Sequence, residues 1–201
     1  MVTHKIVLKF FVEDPGALGE GEFVPVFHGW IQRQAIEDHL LIDVADYGHV
    51  HHGPGTVLVA HEANFSTDQA AGRLGLLYSR KQPLSGDTAE RLRYTFTVAL
   101  KACAILEREP SLGGRIKFRT DEMLFRLNDR LLAPNTEETF AAVNPSLRSF
   151  LSELYPGASV TLPHQPSPNA LFEVLIKVSE SPSVAALLDR LGARVSLPAR
   201  P

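Results

Sequence analysis

The hydrophobic period of this sequence changes repeatedly along the chain. It switches between two residues, typical of a half-buried strand, and about 3.6 residues, typical of an amphipathic helix. Residues 5–12 alternate apolar side chains with Lys5 and Lys9, which predicts a strand. Residues 23–31 repeat apolar side chains at helical spacing, and residues 85–109 form the longest helical stretch. The sequence therefore predicts a fold that contains both helices and sheet.

The predicted order of elements is strand, helix, three strands, long helix, two strands, helix, two strands and a final helix. Loops of hairpin length between successive strands favour antiparallel pairing. We therefore predict an α+β fold, in which helices pack on one face of a mainly antiparallel sheet of roughly seven to nine strands. Trp30 and Phe96 lie on the apolar stripes of their helices and are predicted core residues.

Length and charge narrow the class of protein. A chain of 201 residues suits one large domain, which we place at residues 1–195, with a frayed tail at 196–201. The net charge of −3 gives no general attraction for nucleic acid. No stretch is long and apolar enough for a membrane span. Cys103 is the only cysteine, which fits a cytoplasmic location and predicts a small core residue.

Two parts of the chain share a pattern that suggests an internal βαββ duplication. The predicted repeats are residues 5–62 and 123–178, joined by the helix at 85–109. When Pro25 is set against Pro145, the apolar positions that follow coincide. If the duplication is real, the two segments share one strand order. The alternative is coincidence, since unrelated amphipathic units have the same periods.

The densest group of polar side chains lies between residues 43 and 62. Its members are Asp43, Asp46, Tyr47, His49, His51, His52, His61 and Glu62. A hairpin closed by Gly53-Pro54-Gly55 would bring four of them together, because residues two apart on a strand share a face and opposed strands lie close. We predict these four as a ligand-binding cluster: Asp43, Tyr47, His49 and His61.

The same hairpin has the donors of a metal site. Imidazole and carboxylate are common ligands of zinc, iron and manganese, so His49, His51 and His61 are candidate ligands of a divalent metal (Zn, Fe or Mn). The sequence contains no His-Glu-x-x-His motif that would support this hypothesis. The alternative is that the polar groups only satisfy one another and close the hairpin.

Arg80 is a further candidate for ligand binding. With Arg73 and Lys81 it forms a cationic group that suits an anion, although isolated surface cations are the commoner explanation. The sequence contains no dinucleotide-binding glycine motif, P-loop or nucleophile elbow.

Several stretches resemble an uncharacterised bacterial protein family. They are Leu41-Ile42-Asp43-Val44-Ala45-Asp46-Tyr47 with His49-Val50, Gly53-Pro54-Gly55, His61-Glu62-Ala63, Gly75-Leu76-Leu77-Tyr78-Ser79-Arg80-Lys81, and residues 128–135. That family has no established activity. The resemblance implies a bacterial cytosolic protein and supplies no catalytic residue.

Two functional hypotheses follow from the sequence. The first is a non-catalytic protein that binds a protein partner or a small molecule and forms a homodimer, because no activated nucleophile or cofactor motif is present. The second is a metal-dependent enzyme or metal-binding protein centred on the hairpin at residues 43–62.

Overall fold

The computed structural model describes residues 5–19, 21–50 and 53–192. Within them it contains eight strands and four α-helices. The strands are β1 (Ile6–Val12), β2 (Leu41–Asp46), β3 (Thr56–Ala60), β4 (Ala63–Asp68), β5 (Gly75–Arg80), β6 (Phe118–Leu127), β7 (Val160–Thr161) and β8 (Phe172–Val178). The helices are α1 (Phe23–Arg33), α2 (Thr88–Glu107), α3 (Glu137–Leu154) and α4 (Val184–Arg190). The predicted tail at 196–201 lies outside the described residues.

The strands form a single sheet in the order β2-β3-β4-β5-β1-β6-β8-β7, and every neighbouring pair is antiparallel. The helices pack against this sheet, so the predicted α+β class is confirmed. Among the described residues, no helix combines the length and apolar character that crossing a bilayer requires.

The helices cover one face of the sheet. On the central strand β1, Ile6, Leu8 and Phe10 belong to the main apolar core, while Lys9 and Phe11 point to the face without helices. Phe10 meets Phe96 of α2 at a ring-centroid distance of 6.4 Å. This alternation divides the molecule into a helix-covered face and a helix-free face.

The two aromatic residues predicted for the core are fully buried. Trp30 of α1 packs edge-on against Phe65 of β4, and Phe96 of α2 lies 4.8 Å from Phe150 of α3. Burial of such a side chain contributes about 2–3 kcal/mol, so these contacts hold the helices to the sheet and to one another.

Helix starts differ from the sequence predictions by a few residues. The helix predicted from residue 85 begins at Thr88, because the side chain of Asp87 caps it by accepting the Glu90 N–H, and Glu90 accepts the Asp87 N–H in return. Gly86 has φ +84°, so the helix cannot begin earlier. Thr136 caps α3, since its side chain accepts the Thr139 N–H.

The sheet also departs from the predicted strands. β4 was not predicted, since Phe65 is its one large apolar residue and its polar side chains are typical of a loop. The two strands predicted directly after the long helix are one long strand, β6. The register between β1 and β6 shifts between Phe10 and Val12, which accommodates the extra residues of β6.

The two segments of the predicted duplication differ in which of their strands are direct neighbours. β8 pairs directly with β6, whereas β3 is separated from β1 by both β4 and β5. Pro25 lies in the first turn of α1, but Pro145 lies in the middle of α3. In both segments the strands lie in the order second, third, first, but β4 and β5, which follow the first segment in sequence, separate β3 from β1. The internal duplication therefore stays a prediction.

Candidate functional site

The hairpin β2–β3 carries most of the residues predicted to bind a ligand, but it spreads them along its length. At its closed end the Tyr47 N–H donates to the Gly55 carbonyl at 3.0 Å, and at its open end the His61 N–H donates to Leu40 at 2.9 Å. Seven residues of extended chain separate these positions, about 20 Å at the usual rise of a strand. His61 is therefore far from Tyr47 and His49, and the four side chains do not form the single cluster that was predicted; a role of any one of them in ligand binding stays a prediction.

The individual side chains of that hairpin are ordinary surface groups. His49 and His61 are exposed, and Asp43 uses one carboxylate oxygen to accept the neighbouring Val44 N–H at 2.8 Å. A bulge between Leu41 and Asp43 ends the regular alternation from which a shared face was predicted.

The predicted metal ligands are also separated. His49 follows Tyr47 at the closed end of the hairpin and His61 lies at the open end, while His51 falls outside the described residues. Residues 5–19, 21–50 and 53–192 contain no group of three His, Cys, Asp or Glu side chains that could hold a metal ion.

Tyr47 lines a cavity of about 510 Å³ beyond the closed end of the hairpin. Much of its lining is backbone, because six of the described residues around it are glycines: Gly19, Gly21, Gly48, Gly53, Gly55 and Gly72. Among the described residues that line it, Asp46 is the one acidic side chain. This cavity has few side-chain groups that could recognise a ligand.

Arg80 lies on the helix-covered face and is 7% exposed. Its Nε donates to the Gln82 carbonyl at 2.8 Å, and its guanidinium lies over the ring of Tyr94. Nη1 is buried and has no hydrogen-bond partner among the described residues. Arg80 is thus part of the core beneath α2, and the predicted cationic surface with Arg73 and Lys81 does not form around it.

A buried histidine accompanies Arg80. The two ring nitrogens of His39 contact the Tyr78 hydroxyl at 3.2 Å and the Glu37 carbonyl at 2.9 Å. Burial lowers the pKa of His39 and raises the pKa of Tyr78, because each charged form would lose its hydration. Both side chains therefore stay neutral near pH 7 and satisfy each other inside the core.

The helix-free face contains the larger concave site, a groove of about 560 Å³. Its floor is the middle of the sheet, with Lys9, Leu124 and Leu175 on adjacent strands. One wall is the turn at 68–73 and the other is the connection at 163–170 between β7 and β8. We call it the Lys9 groove.

Lys9 itself is 1% exposed, although it occupies the centre of a strand that has no helix on this side. Its ammonium donates to Asp68 at 2.7 Å and lies 5.3 Å from the centre of the Phe11 ring. Asp68 is two strands away from Lys9, beyond Gly75. A Cβ on Gly75 would lie 2.8 Å from Lys9 Cε, so the lysine crosses the sheet in the space that this glycine leaves.

Burial lowers the pKa of Lys9 below its usual value of 10.5. The hydrogen bond and charge of Asp68 oppose this shift, whereas the positive charges of Arg126 and Arg73 add to it. A lysine in a cleft whose pKa is perturbed by burial and a specific partner is a candidate functional group.

Two arginines border Lys9 in the groove. Arg73 stacks on Phe11 at 3.6 Å and binds both oxygens of Glu122 at 3.1 and 2.8 Å. These hydrogen bonds from Arg73 lower the pKa of Glu122. On the other side, Arg126 donates from Nε and Nη2 to Glu173 at 3.1 and 2.7 Å.

The charges of the groove differ from those of the whole molecule. Three cations, Lys9, Arg73 and Arg126, line it, and each is paired with one carboxylate, those of Asp68, Glu122 and Glu173. The whole chain has a net charge of −3. The groove thus concentrates charge-balanced cationic donors in an acidic protein, and a small anion could bind to the N–H groups that the carboxylates leave free.

Sequence reasoning missed this site. It placed Lys9 on the strand face opposite the apolar stripe and gave it no role. One signal was available. In a sheet of eight predicted strands most strands have a neighbour on both sides, and a lysine on such an interior strand needs a partner for its charge. The strand order decides which strand is central and brings Asp68 within reach of Lys9, and the sequence did not predict that order.

Comparisons with known proteins identify no relative: no family model matches the chain, and no curated protein or solved structure shows significant similarity to it. The resemblance to an uncharacterised bacterial family consequently rests on its sequence stretches alone.

Proposed function

We propose that this protein binds a small carboxylate in the Lys9 groove. The observation that carries this proposal is the amine of Lys9, which is buried at the centre of a groove of about 560 Å³ beside two arginines. A concave site with a few convergent polar groups and a perturbed lysine is the usual form of a small-molecule site.

The groove provides apolar contacts and hydrogen-bond donors for a small carboxylate. Leu124, Leu175 and Phe11 give an apolar floor, and the guanidinium of Arg126 gives planar donors that match a carboxylate. Arg126 uses only Nε and Nη2 toward Glu173, so Nη1 has no hydrogen-bond partner among the described residues.

Calorimetry with three probes tests the proposal: pyruvate, 2-oxoglutarate and malate. We expect saturable binding of at least one probe, weakened about tenfold or more by Arg126→Met, since a charge-assisted hydrogen bond contributes about 1.5–3 kcal/mol.

Arg93→Met is the matched control. Arg93 also forms a pair with a glutamate, Glu153 at 2.8 Å, but on the surface of the helices. This variant should leave the affinity unchanged. An equal loss of affinity in both variants, or no saturable binding of any probe, contradicts the proposal.

The predicted homodimer and cytoplasmic location remain part of the proposal. Ile42 on the edge strand β2 is 54% exposed and Leu40, directly before this strand, is 59% exposed, which supports association of two copies. Sedimentation equilibrium distinguishes a dimer from a monomer. The buried Cys103 is consistent with a reducing compartment, and burial raises the pKa of its thiol.

A further inference from the structure

We propose that Lys9 captures a small oxo acid, a ketone or aldehyde that carries a carboxylate, as a reversible imine in the Lys9 groove. This inference rests on the proposed function, since it names the class of carboxylate and the bond that holds it. It depends on three features: the environment of the amine, its proton acceptor and the position of Arg126.

The environment of Lys9 makes its ammonium easier to deprotonate. The side chain is 1% exposed, so the ammonium loses most of its hydration, and the guanidinium groups of Arg73 and Arg126 line the same groove. Desolvation and neighbouring cations are the two conditions that turn a lysine into a nucleophile toward carbonyl compounds.

Asp68 is placed to move the proton. One oxygen accepts from Lys9 at 2.7 Å, while the other accepts the Ala70 N–H at 3.2 Å, which holds the carboxylate in this orientation. The side chain of Asp68 also lines the groove, so it reaches both the amine and a bound carbonyl compound.

Arg126 is placed to hold the carboxylate of the oxo acid. It lies on β6, next to the central strand, where it pairs with Val7 and is the diagonal neighbour of Lys9 on the same face. A carboxylate at Arg126 Nη1 would leave the adjacent carbonyl carbon directed toward the amine. Malate, which has a hydroxyl group in place of the carbonyl, could bind but could not react.

The chemical step is balanced. Asp68 takes a proton from the ammonium, and the amine attacks the carbonyl carbon to form a C–N bond. A proton passes from nitrogen to the former carbonyl oxygen, giving a carbinolamine. Asp68 then returns its proton to the hydroxyl group, the C–O bond breaks, and water leaves a protonated imine. No oxidant or reductant takes part.

Reductive trapping tests the inference. The full chain is incubated separately with glyoxylate, pyruvate and 2-oxoglutarate in the presence of cyanoborohydride, followed by intact mass measurement and peptide mapping. We expect a single adduct at Lys9, formed at least about tenfold faster than at the exposed Lys117 and Lys177.

Two variants sharpen the test. Lys9→Met should abolish the fast adduct, and Asp68→Asn should slow it while Lys9 is still present. Since mapping in the unmodified protein already compares Lys9 with surface lysines, the test does not depend on the folding of either variant. Adducts spread evenly over the surface lysines, or an unchanged rate in Lys9→Met, overturn the inference.

Failure of this inference can be told apart from failure of the proposed function. If calorimetry shows binding that Arg126→Met weakens, but no oxo acid is trapped at Lys9, the imine is wrong and the carboxylate site stands. If neither binding nor trapping is found, both are wrong.

Discussion

Lys9 and Arg80 are two buried cations on opposite faces of one sheet, and the groups that surround them differ. Lys9, 1% exposed, has a carboxylate partner at 2.7 Å and an open groove beside it. Arg80, 7% exposed, lies under α2 between aromatic rings and carbonyl groups, with no carboxylate within 4 Å among the described residues.

The difference shows how the cover of a sheet decides the role of a buried charge. On the helix-covered face, side chains from α1 and α2 fill the space above the strands, so a cation becomes part of the core. On the helix-free face, only turns and long side chains close over Lys9, so burial of the charge and room for a ligand occur together.

The largest expected effect is on stability, and it compares apolar packing on the two faces of the sheet. We expect Trp30→Ala to lower the free energy of unfolding by about 3–5 kcal/mol, since the rings around Trp30 cannot close the cavity. Phe11→Ala should cost only about 1–2 kcal/mol, because the Lys9 and Arg73 chains above it can move into the space. Urea denaturation measures both; equal costs would mean that the two faces are equally rigid.

The second prediction separates the charge of Lys9 from its packing. Asp68→Asn should destabilise the protein by about 3 kcal/mol, because it leaves a buried ammonium without a counter-charge. Lys9→Met should change the stability by about 1 kcal/mol or less, since the apolar chain remains and Asp68 keeps the Ala70 N–H.

The exposed pair of Arg93 and Glu153 provides the control for this experiment. Arg93→Met should cost no more than about 0.5 kcal/mol. Should Lys9→Met cost as much as Asp68→Asn in the same denaturation experiment, Lys9 would be a structural group and not a poised amine.

The smallest expected effect concerns the neutral histidine of the helix-covered face. Burial places the pKa of His39 below 6.5, so the unfolded chain takes up a proton at a pH where the folded protein does not. As the pH falls below 6.5, the free energy of unfolding therefore decreases. His39 contributes up to about 1.4 kcal/mol per pH unit to this decrease.

Comparison of His39→Gln with the unchanged protein isolates this contribution. The difference in unfolding free energy between the two should shrink between pH 7 and about pH 5.5. His28→Gln, at an exposed position, should keep the full pH dependence. An unchanged difference for His39→Gln would show that the core admits a charged imidazole.

Local pattern was enough to predict much of the fold. The helical stripes of α1 and α2 and the alternation of β1 depend on neighbouring residues only, and they placed Trp30 and Phe96 correctly in the core. β4 was missed because its sequence is mostly polar, and only its position between β3 and β5 makes it a strand.

The candidate site could not be predicted in the same way. The hairpin at residues 43–62 has the highest density of polar groups, yet its bulge and its length separate them. The groups of the Lys9 groove come from four distant stretches of chain, around Lys9, Asp68, Arg126 and the connection at 163–170.

The sequence by itself determined that this chain forms helices and strands, and which side of each element is apolar, because these depend on hydrophobic period. Only the tertiary structure decided that β1 is central, that its polar side is closed over by turns, and that Asp68 lies within reach of Lys9. The physical reason is that the environment of a charge depends on residues far along the chain, whose positions follow from strand order.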